Sequence, residues 1–127
     1  MEIKAGEYVR TKDGLIDKVQ NYSYSQNIWH CENGMCIDEC NCIGTHLKDI
    51  ANHNFNIKEL IEEGDIVEYQ VNSLSKLKVG RVNSYRDTRS NKECLCVEGF
   101  DITKIAKIRT ILTHEQYEKN CYRLENN

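Results

Sequence analysis

A recurrence constrains this chain more than any other feature of its sequence. Gly6-Glu7-Tyr8-Val9, Val19-Gln20-Asn21-Tyr22-Ser23 and Glu39-Cys40-Asn41-Cys42-Ile43 return in the same order as Gly64-Asp65-Ile66-Val67, Val82-Asn83-Ser84-Tyr85-Arg86 and Glu93-Cys94-Leu95-Cys96-Val97. The offsets are 58, 63 and 54 residues (Gly6 to Gly64, Val19 to Val82, Glu39 to Glu93). Two copies of a small β-unit that keep their strand cores and let connections vary would leave this trace. The chain has 127 residues, so each copy has about half the length of an ordinary domain, and isolated lobes of ~60 residues are marginal. We therefore expect a first unit over 1–55 and a second over 64–127, packed as one compact domain, with a dimer equally permitted.

Local signals fill in the units. Tyr8-Val9-Arg10-Thr11 and Leu15-Ile16-Asp17-Lys18-Val19 flank Lys12-Asp13-Gly14, and Asp-Gly between β-rich runs is a strong hairpin cue. Tyr22, Tyr24, Ile28 and Trp29 carry β-propensity onward, and Glu32-Asn33-Gly34 turns the chain into Met35-Cys36-Ile37. Asn56 as a cap, apolar Ile57, Leu60 and Ile61, and Gly64 as a stop predict a short linking helix over 56–63. The second copy resumes with strands at Ile66-Val67-Glu68-Tyr69, Val79-Gly80-Arg81-Val82, Cys94-Leu95-Cys96-Val97 and Ile105 to Ile111, with the polar stretch Ser84 to Asn91 expected as a mobile loop. Thr113-His114-Glu115-Gln116 has the spacing of a capping box and predicts a short C-terminal helix near 114–119, followed by a closing strand at Cys121-Tyr122-Arg123-Leu124. The fold class expected is mainly β with short helices.

Charge narrows the partners. Seventeen basic and twenty acidic residues give a net charge of -3, a mild acidity that argues against phosphate-driven nucleic-acid binding, which needs a concentrated basic face. The run Lys58-Glu59 through Glu62-Glu63 and Asp65 is expected as a solvated helix face. No apolar run approaches the ~20 residues of a membrane span and no signal-peptide pattern opens the chain, so a cytoplasmic location is expected. Seven cysteines then read as reduced thiols or metal ligands before disulfides.

Cys31, Cys36, Cys40, Cys42 and His46, with Cys94 and Cys96 from the second copy, are the ligand types a structural zinc takes. Their spacings are Cys-x4-Cys, Cys-x3-Cys and Cys-x-Cys rather than paired Cys-x2-Cys knuckles, and residues two apart on a strand share a face, so the simpler expectation is packing, with no metal or cofactor. His30, His46, His53 and His114 stand in no recognisable triad pattern, phosphate loops and His-Glu-x-x-His are absent, and no catalytic residue or enzymatic activity is expected. Tyr8, Tyr22, Tyr24, Trp29, Tyr69 and Tyr85 are expected mostly in the core, where large aromatics dominate small β-units. Tyr22, Tyr24 and Trp29 form the patch to watch, and Arg81, Tyr85, Arg86 and Arg89 complete the candidate binding set.

Three stretches carry a family resemblance: Gly6 to Gly14, Asn56 to Val67, and Ile111 to Tyr117 continuing through Asn120-Cys121-Tyr122-Arg123-Leu124. Together they resemble small uncharacterised proteins of phages and prophages of Gram-positive, clostridial-type bacteria, over less than half the residues. The resemblance implies a mobile-element origin and transfers no catalytic residue. The cysteine-bearing stretch from His30 to His53 and the loop from Arg86 to Asn91 depart from that pattern. The opening also resembles an SH3-like or KOW-type small barrel, which implies two tandem barrel units. The function expected is a non-catalytic protein that binds a host protein, plausibly an anti-CRISPR-type inhibitor of antiviral defence acting in the bacterial cytoplasm. The alternatives are a nucleic-acid module contacting phosphates through Arg10, Lys12, Lys18, Lys76, Lys78, Arg81, Arg86 and Arg89, and a nucleotide-signal sequestering protein with its ligand in a groove between the copies.

Overall fold

A computed structural model of the chain describes residues 3–37 and 50–121. The chain divides into two compact units, Met1–Leu60 and Ile61–Asn127, and the described residues are mainly β. In the first unit β1 (Tyr8–Thr11), β2 (Ile16–Ser23), β3 (Ile28–Cys31), β4 (Cys36–Ile37) and β5 (Ile50–Asn54) form an antiparallel sheet in the order β4-β3-β2-β1-β5. The Asp-Gly turn forms as expected: Gly14 N–H donates to the Thr11 carbonyl at 3.0 Å and Leu15 N–H to Thr11 Oγ1 at 2.9 Å. Glu32-Asn33-Gly34 likewise turns β3 into β4, with Cys31 N–H bonded to the Met35 carbonyl at 2.8 Å.

Strand β2 serves two partners in succession. Ile16–Lys18 pair with β1, and Val19–Ser23 pair with β3 across an irregularity between Val19 and Asn21. A strand that changes partners partway lets one ribbon of five strands bend over its own apolar face. That face is the cluster Ile3, Val9, Val19, Cys31, Ile37 and Ile50, with Trp29 and Met35 packed against it.

The second unit is built the same way. Its strands β6 (Ile66–Gln70), β7 (Lys78–Asp87), β8 (Lys92–Val97), β9 (Phe100–Asp101) and β10 (Lys107–Leu112) take the order β10-β6-β7-β8-β9, and α1 (His114–Asn120) follows. Strand β7 uses Lys78–Arg81 against β6 and Val82–Asp87 against β8. Ile61, Val67, Tyr69, Val82, Val97, Ile102 and Ile105 make its core, each burial contributing about 2 kcal/mol.

The backbone hydrogen bonds match position for position. Gly6 and Gly64 both stand at φ +94°, a conformation costly for any residue with a Cβ. Each donates to the valine at the bend, Val19 or Val82, at 2.8 Å, and each of those valines donates back to the carbonyl of Glu7 or Asp65 at 2.8 Å. Asn27 and Asn91, both at φ 57°, close the next turns onto Ser23 and Asp87 at 2.7 Å. Asparagine is the side chain that best tolerates this left-handed region.

Several expectations are corrected. The linking helix is a single 3-10 turn, Ile57–Leu60. Glu59 N–H bonds the Asn56 carbonyl at 3.0 Å, and the buried Arg10 guanidinium takes the Leu60 carbonyl at 3.0 Å, so the final carbonyl is capped by a side chain and the helix stops. Asp65 belongs to no solvated face: it is wholly buried, accepting the Glu62 and His114 N–H groups at 2.9 Å each. Ser84 to Asp87 are strand rather than loop, held by four of the six register pairs between β7 and β8, and only the short turn before Lys92 separates the two strands. The strand expected from Ile105 begins at Lys107, because Ile102–Lys104 form a 3-10 turn capped by the Asp101 side chain, and Ile105 enters the core. The third sequence match also shifts. Strand β8 holds in its sheet the place β3 holds in the other, which sets Val97 against Cys31 rather than Ile43, while Glu39 to Ile43 lie outside the described residues. The Thr113 cap forms, with Gln116 N–H donating to Thr113 Oγ1 at 3.3 Å; of the proposed closing strand, Tyr122 to Leu124 lie outside the described residues.

Candidate functional site

The far end of the β2–β3 hairpin carries the aromatic side chains that the sequence singled out. Antiparallel register sets Tyr22 opposite Trp29, and cross-strand partners on one face stand close enough for rings to touch. Their centroids are 5.1 Å apart at 66°, and Tyr24, just past the end of β2, meets Tyr22 edge-on at 5.1 Å and 78°. Edge-to-face geometry at this distance is the favourable one for aromatic quadrupoles. Trp29 packs against the core while its Nε1 is buried with no hydrogen-bond partner among the described residues. Tyr24 is 86% exposed. The three rings thus run from the core edge to open solvent.

The expectation that the aromatics are mostly core is corrected. Of the six, only Tyr69 is fully buried, its hydroxyl bonded to the Glu98 carboxylate. Burial and that bond push its phenol up to about 12.

Arg81, Tyr85, Arg86 and Arg89 all lie on β7 or the turn after it, yet they make no common cationic face. The Arg81 guanidinium sits 5.5 Å over the Tyr117 ring. Arg86 donates to the Asn91 carbonyl at 3.3 Å and to its side chain at 3.1 Å, and Arg89 follows in the exposed turn. Arg10, one of the candidate phosphate contacts, is wholly buried, and Lys18 and Lys78 lie over the Tyr8 and Phe100 rings at 5.7 and 6.0 Å.

Tyr85 instead joins a cleft of about 520 Å³ within the second unit, lined by Val71, Cys96, Phe100, Asp101, Lys104 and Ile105 among others. Its hydroxyl donates to Asp101 Oδ2 at 3.0 Å, and that bond raises the phenol to about 12. The Thr103 hydroxyl and N–H, at 2.7 and 2.9 Å, hold Asp101 below its ordinary carboxylate range. The wall of the cleft therefore presents a neutral phenol and a fixed carboxylate with the Lys104 ammonium near it, a polar lining of mixed charge.

Of the zinc-type residues, Cys40, Cys42 and His46 lie outside the described residues. Cys31 is in the first core, where burial pushes its thiol up to about 12. Cys94 and Cys96 are half-buried on β8 rather than core fillers. Among the described residues, ligand-type atoms converge at Glu62, His114 and Glu115, all within 4.8 Å of one another. The His114 Nε2 lies 2.9 Å from Glu62 and 3.4 Å from Glu115, an arrangement that an ion pair accounts for.

One pairing escaped the sequence reading. His30 and Cys36 face each other across β3 and β4, with Nδ1 and Sγ 3.5 Å apart. The Glu32-Asn33-Gly34 turn was the available signal, since a tight turn centred on Asn33 sets residue 30 opposite residue 36.

No protein-family model, curated protein or solved structure matches the chain.

Proposed function

We propose that this chain is a non-catalytic binding protein of phage or prophage origin that engages a host protein through the Tyr22, Tyr24 and Trp29 patch and thereby inhibits a bacterial defence complex in the host cytoplasm. One observation carries the reading: an aromatic cluster is rooted in a core yet ends in a tyrosine that is 86% exposed. Tyrosine and tryptophan supply large contact area at low entropy cost and dominate protein-interface hot spots. The near-neutral balance of charge suits a protein surface better than a nucleic-acid backbone. The defence target rests on the resemblance of the Gly6, Asn56 and Ile111 stretches to phage proteins.

In this reading the two units are duplicated SH3-like barrels. The shared strand order, the paired glycines at φ +94° and the matched bends at Val19 and Val82 support it. One copy has kept an aromatic surface, and the other has turned the same hairpin toward a cleft.

The test is a nuclease-treated pull-down of tagged wild-type protein and a Tyr24→Ala variant from a lysate of a defence-carrying host, read by mass spectrometry. We expect a defence complex enriched by the wild type and lost with the variant. Equal capture by both, or none, ends the reading. The cleft of the second unit supports a second reading, sequestration of a small polar molecule. A ligand seen by native mass spectrometry that is lost in Tyr85→Ala, with no protein captured, would favour it.

A further inference from the structure

The turn before β3 and the β3–β4 hairpin together hold three side chains in series. Gln26 Oε1 lies 3.1 Å from His30 Nε2. An amide oxygen can only accept, so Nε2 carries the ring proton and Nδ1 is the nitrogen with a free lone pair. That nitrogen is the one 3.5 Å from Cys36 Sγ. The other acceptor within reach of the thiol, the Gly34 carbonyl, is farther away at 3.9 Å. A nucleophile facing a base that a third group orients is the arrangement that activates a thiol.

The other described thiols differ. Cys31 is 4% exposed, and burial holds it protonated to about 12. Cys94 faces the Lys92 carbonyl at 3.8 Å beside the Tyr85 phenol, Cys121 faces the Glu118 carbonyl at 3.6 Å, and Cys96 lines the cleft of the second unit. A carbonyl accepts a hydrogen bond but does not take the proton away. Cys36 alone among the described cysteines has an imidazole nitrogen against its sulfur, and it is partly open to solvent.

We propose that Cys36 is a nucleophilic modification site, with His30 as its base and Gln26 as the positioning residue, and that the reagent class it takes is a small soluble disulfide. In the step, Sγ attacks one sulfur of the disulfide while its proton passes to His30 Nδ1. The new Sγ–S bond forms as the S–S bond breaks, and the second sulfur leaves as a thiolate. The incoming disulfide is itself the oxidant, so the exchange balances. Substitution at sulfur builds no oxyanion, so a hairpin thiol with an oriented base is sufficient. Acyl transfer would need converging N–H donors as well.

The test treats the native full chain with a substoichiometric aromatic disulfide, 5,5′-dithiobis(2-nitrobenzoate), and maps the labelled cysteines by peptide mass spectrometry. Cys94 and Cys121 serve as references in the same tube, and Cys31 as a reporter of unfolding. We expect Cys36 to react about tenfold faster than either reference. His30→Ala should bring it down to their rate, and Gln26→Ala should lower it roughly threefold, with Cys31 still protected in both. Iodoacetamide should reproduce the ranking, since the same thiol attacks carbon. Cys36 reacting no faster than Cys94 in the wild type, or unchanged by Gln26→Ala and His30→Ala, overturns the proposal.

Discussion

Matched backbones carry different chemistry at the far ends of the two central hairpins. In the first unit Tyr22 lies opposite Trp29, and the pair continues to an exposed Tyr24. In the second, Tyr85, three residues past Val82 as Tyr22 is past Val19, lies opposite Cys94 and turns its hydroxyl onto Asp101 in a cleft. The frame is held by glycines, valines and asparagines that answer backbone needs. The chemistry is set by whichever side chain faces the tyrosine. One strand order can thus carry different surface chemistry residue by residue.

Sites where the units differ at one register position test that separation. Arg10 and Glu68 both follow the buried valine of the first strand, but Arg10 is wholly buried on the Leu60 carbonyl. Glu68 is part-exposed, with Thr110 and Arg109 as neighbours at 3.2 and 3.8 Å. Arg10→Ala should cost about 3 kcal/mol in urea unfolding, through a stranded carbonyl and lost packing. Glu68→Ala should cost less than about 1 kcal/mol. Equal losses would show that the two positions are not as different as their burial.

A second pair stands opposite the valine itself: Asp17 faces Val9, and Gly80 faces Val67. Asp17 binds Asn33 N–H and Nδ2 at 3.1 Å. At Gly80 a Cβ would meet Val97 Cγ2 at 2.6 Å. Gly80→Ala should destabilise by about 2 kcal/mol through overpacking, and Asp17→Ala by about 1–2 kcal/mol through lost hydrogen bonds. Thermal melts of both variants measure the opposite reasons for intolerance.

The next contrast is in alkali. Cys31 stands where the second unit has Val97, and its thiol is raised from 9.0 to about 12. The group is neutral when protonated, so its contribution is complete below pH 9; above that the unfolded chain ionises first and stability falls until about pH 12. Cys31→Val should remove that part of the alkaline loss, about 1–2 kcal/mol at pH 10.5. Tyr69, raised from 10.0 to about 12, leaves a later loss that Tyr69→Phe should remove. An unchanged profile in Cys31→Val would mean that the thiol is not shielded. The smallest effect belongs to Tyr24→Ala, which should shift stability by less than ~0.5 kcal/mol and so isolate a loss of partner capture from a loss of fold.

Much of the frame was legible because it is local. Lys12-Asp13-Gly14 and Glu32-Asn33-Gly34 each announce a turn in neighbouring residues, and Thr113 with Gln116 announces a cap. The linking helix was misread because its stop signal is Arg10, fifty residues earlier, reaching the Leu60 carbonyl. Asp65 was misread for the same reason, since one of the N–H groups that bury it comes from His114, forty-nine residues on. Of the candidate set, Tyr22, Tyr24 and Trp29 come together as ring contacts, and the exposure of Tyr24 was not legible. Arg81, Tyr85 and Arg86 share β7 yet turn to separate partners, Tyr117, Asp101 and Asn91. His30 and Cys36 escaped because motif spacing was sought along the chain, whereas the pairing is across it.

What the sequence by itself determined is a mainly β chain with matched turn glycines, bend valines and a capped C-terminal helix, because these follow from backbone preferences of residues in place. Only the tertiary structure decided which polar groups are buried, which aromatics reach solvent and which thiol meets an imidazole. Those outcomes depend on desolvation and on contacts between residues far apart in the chain, and no local pattern encodes either.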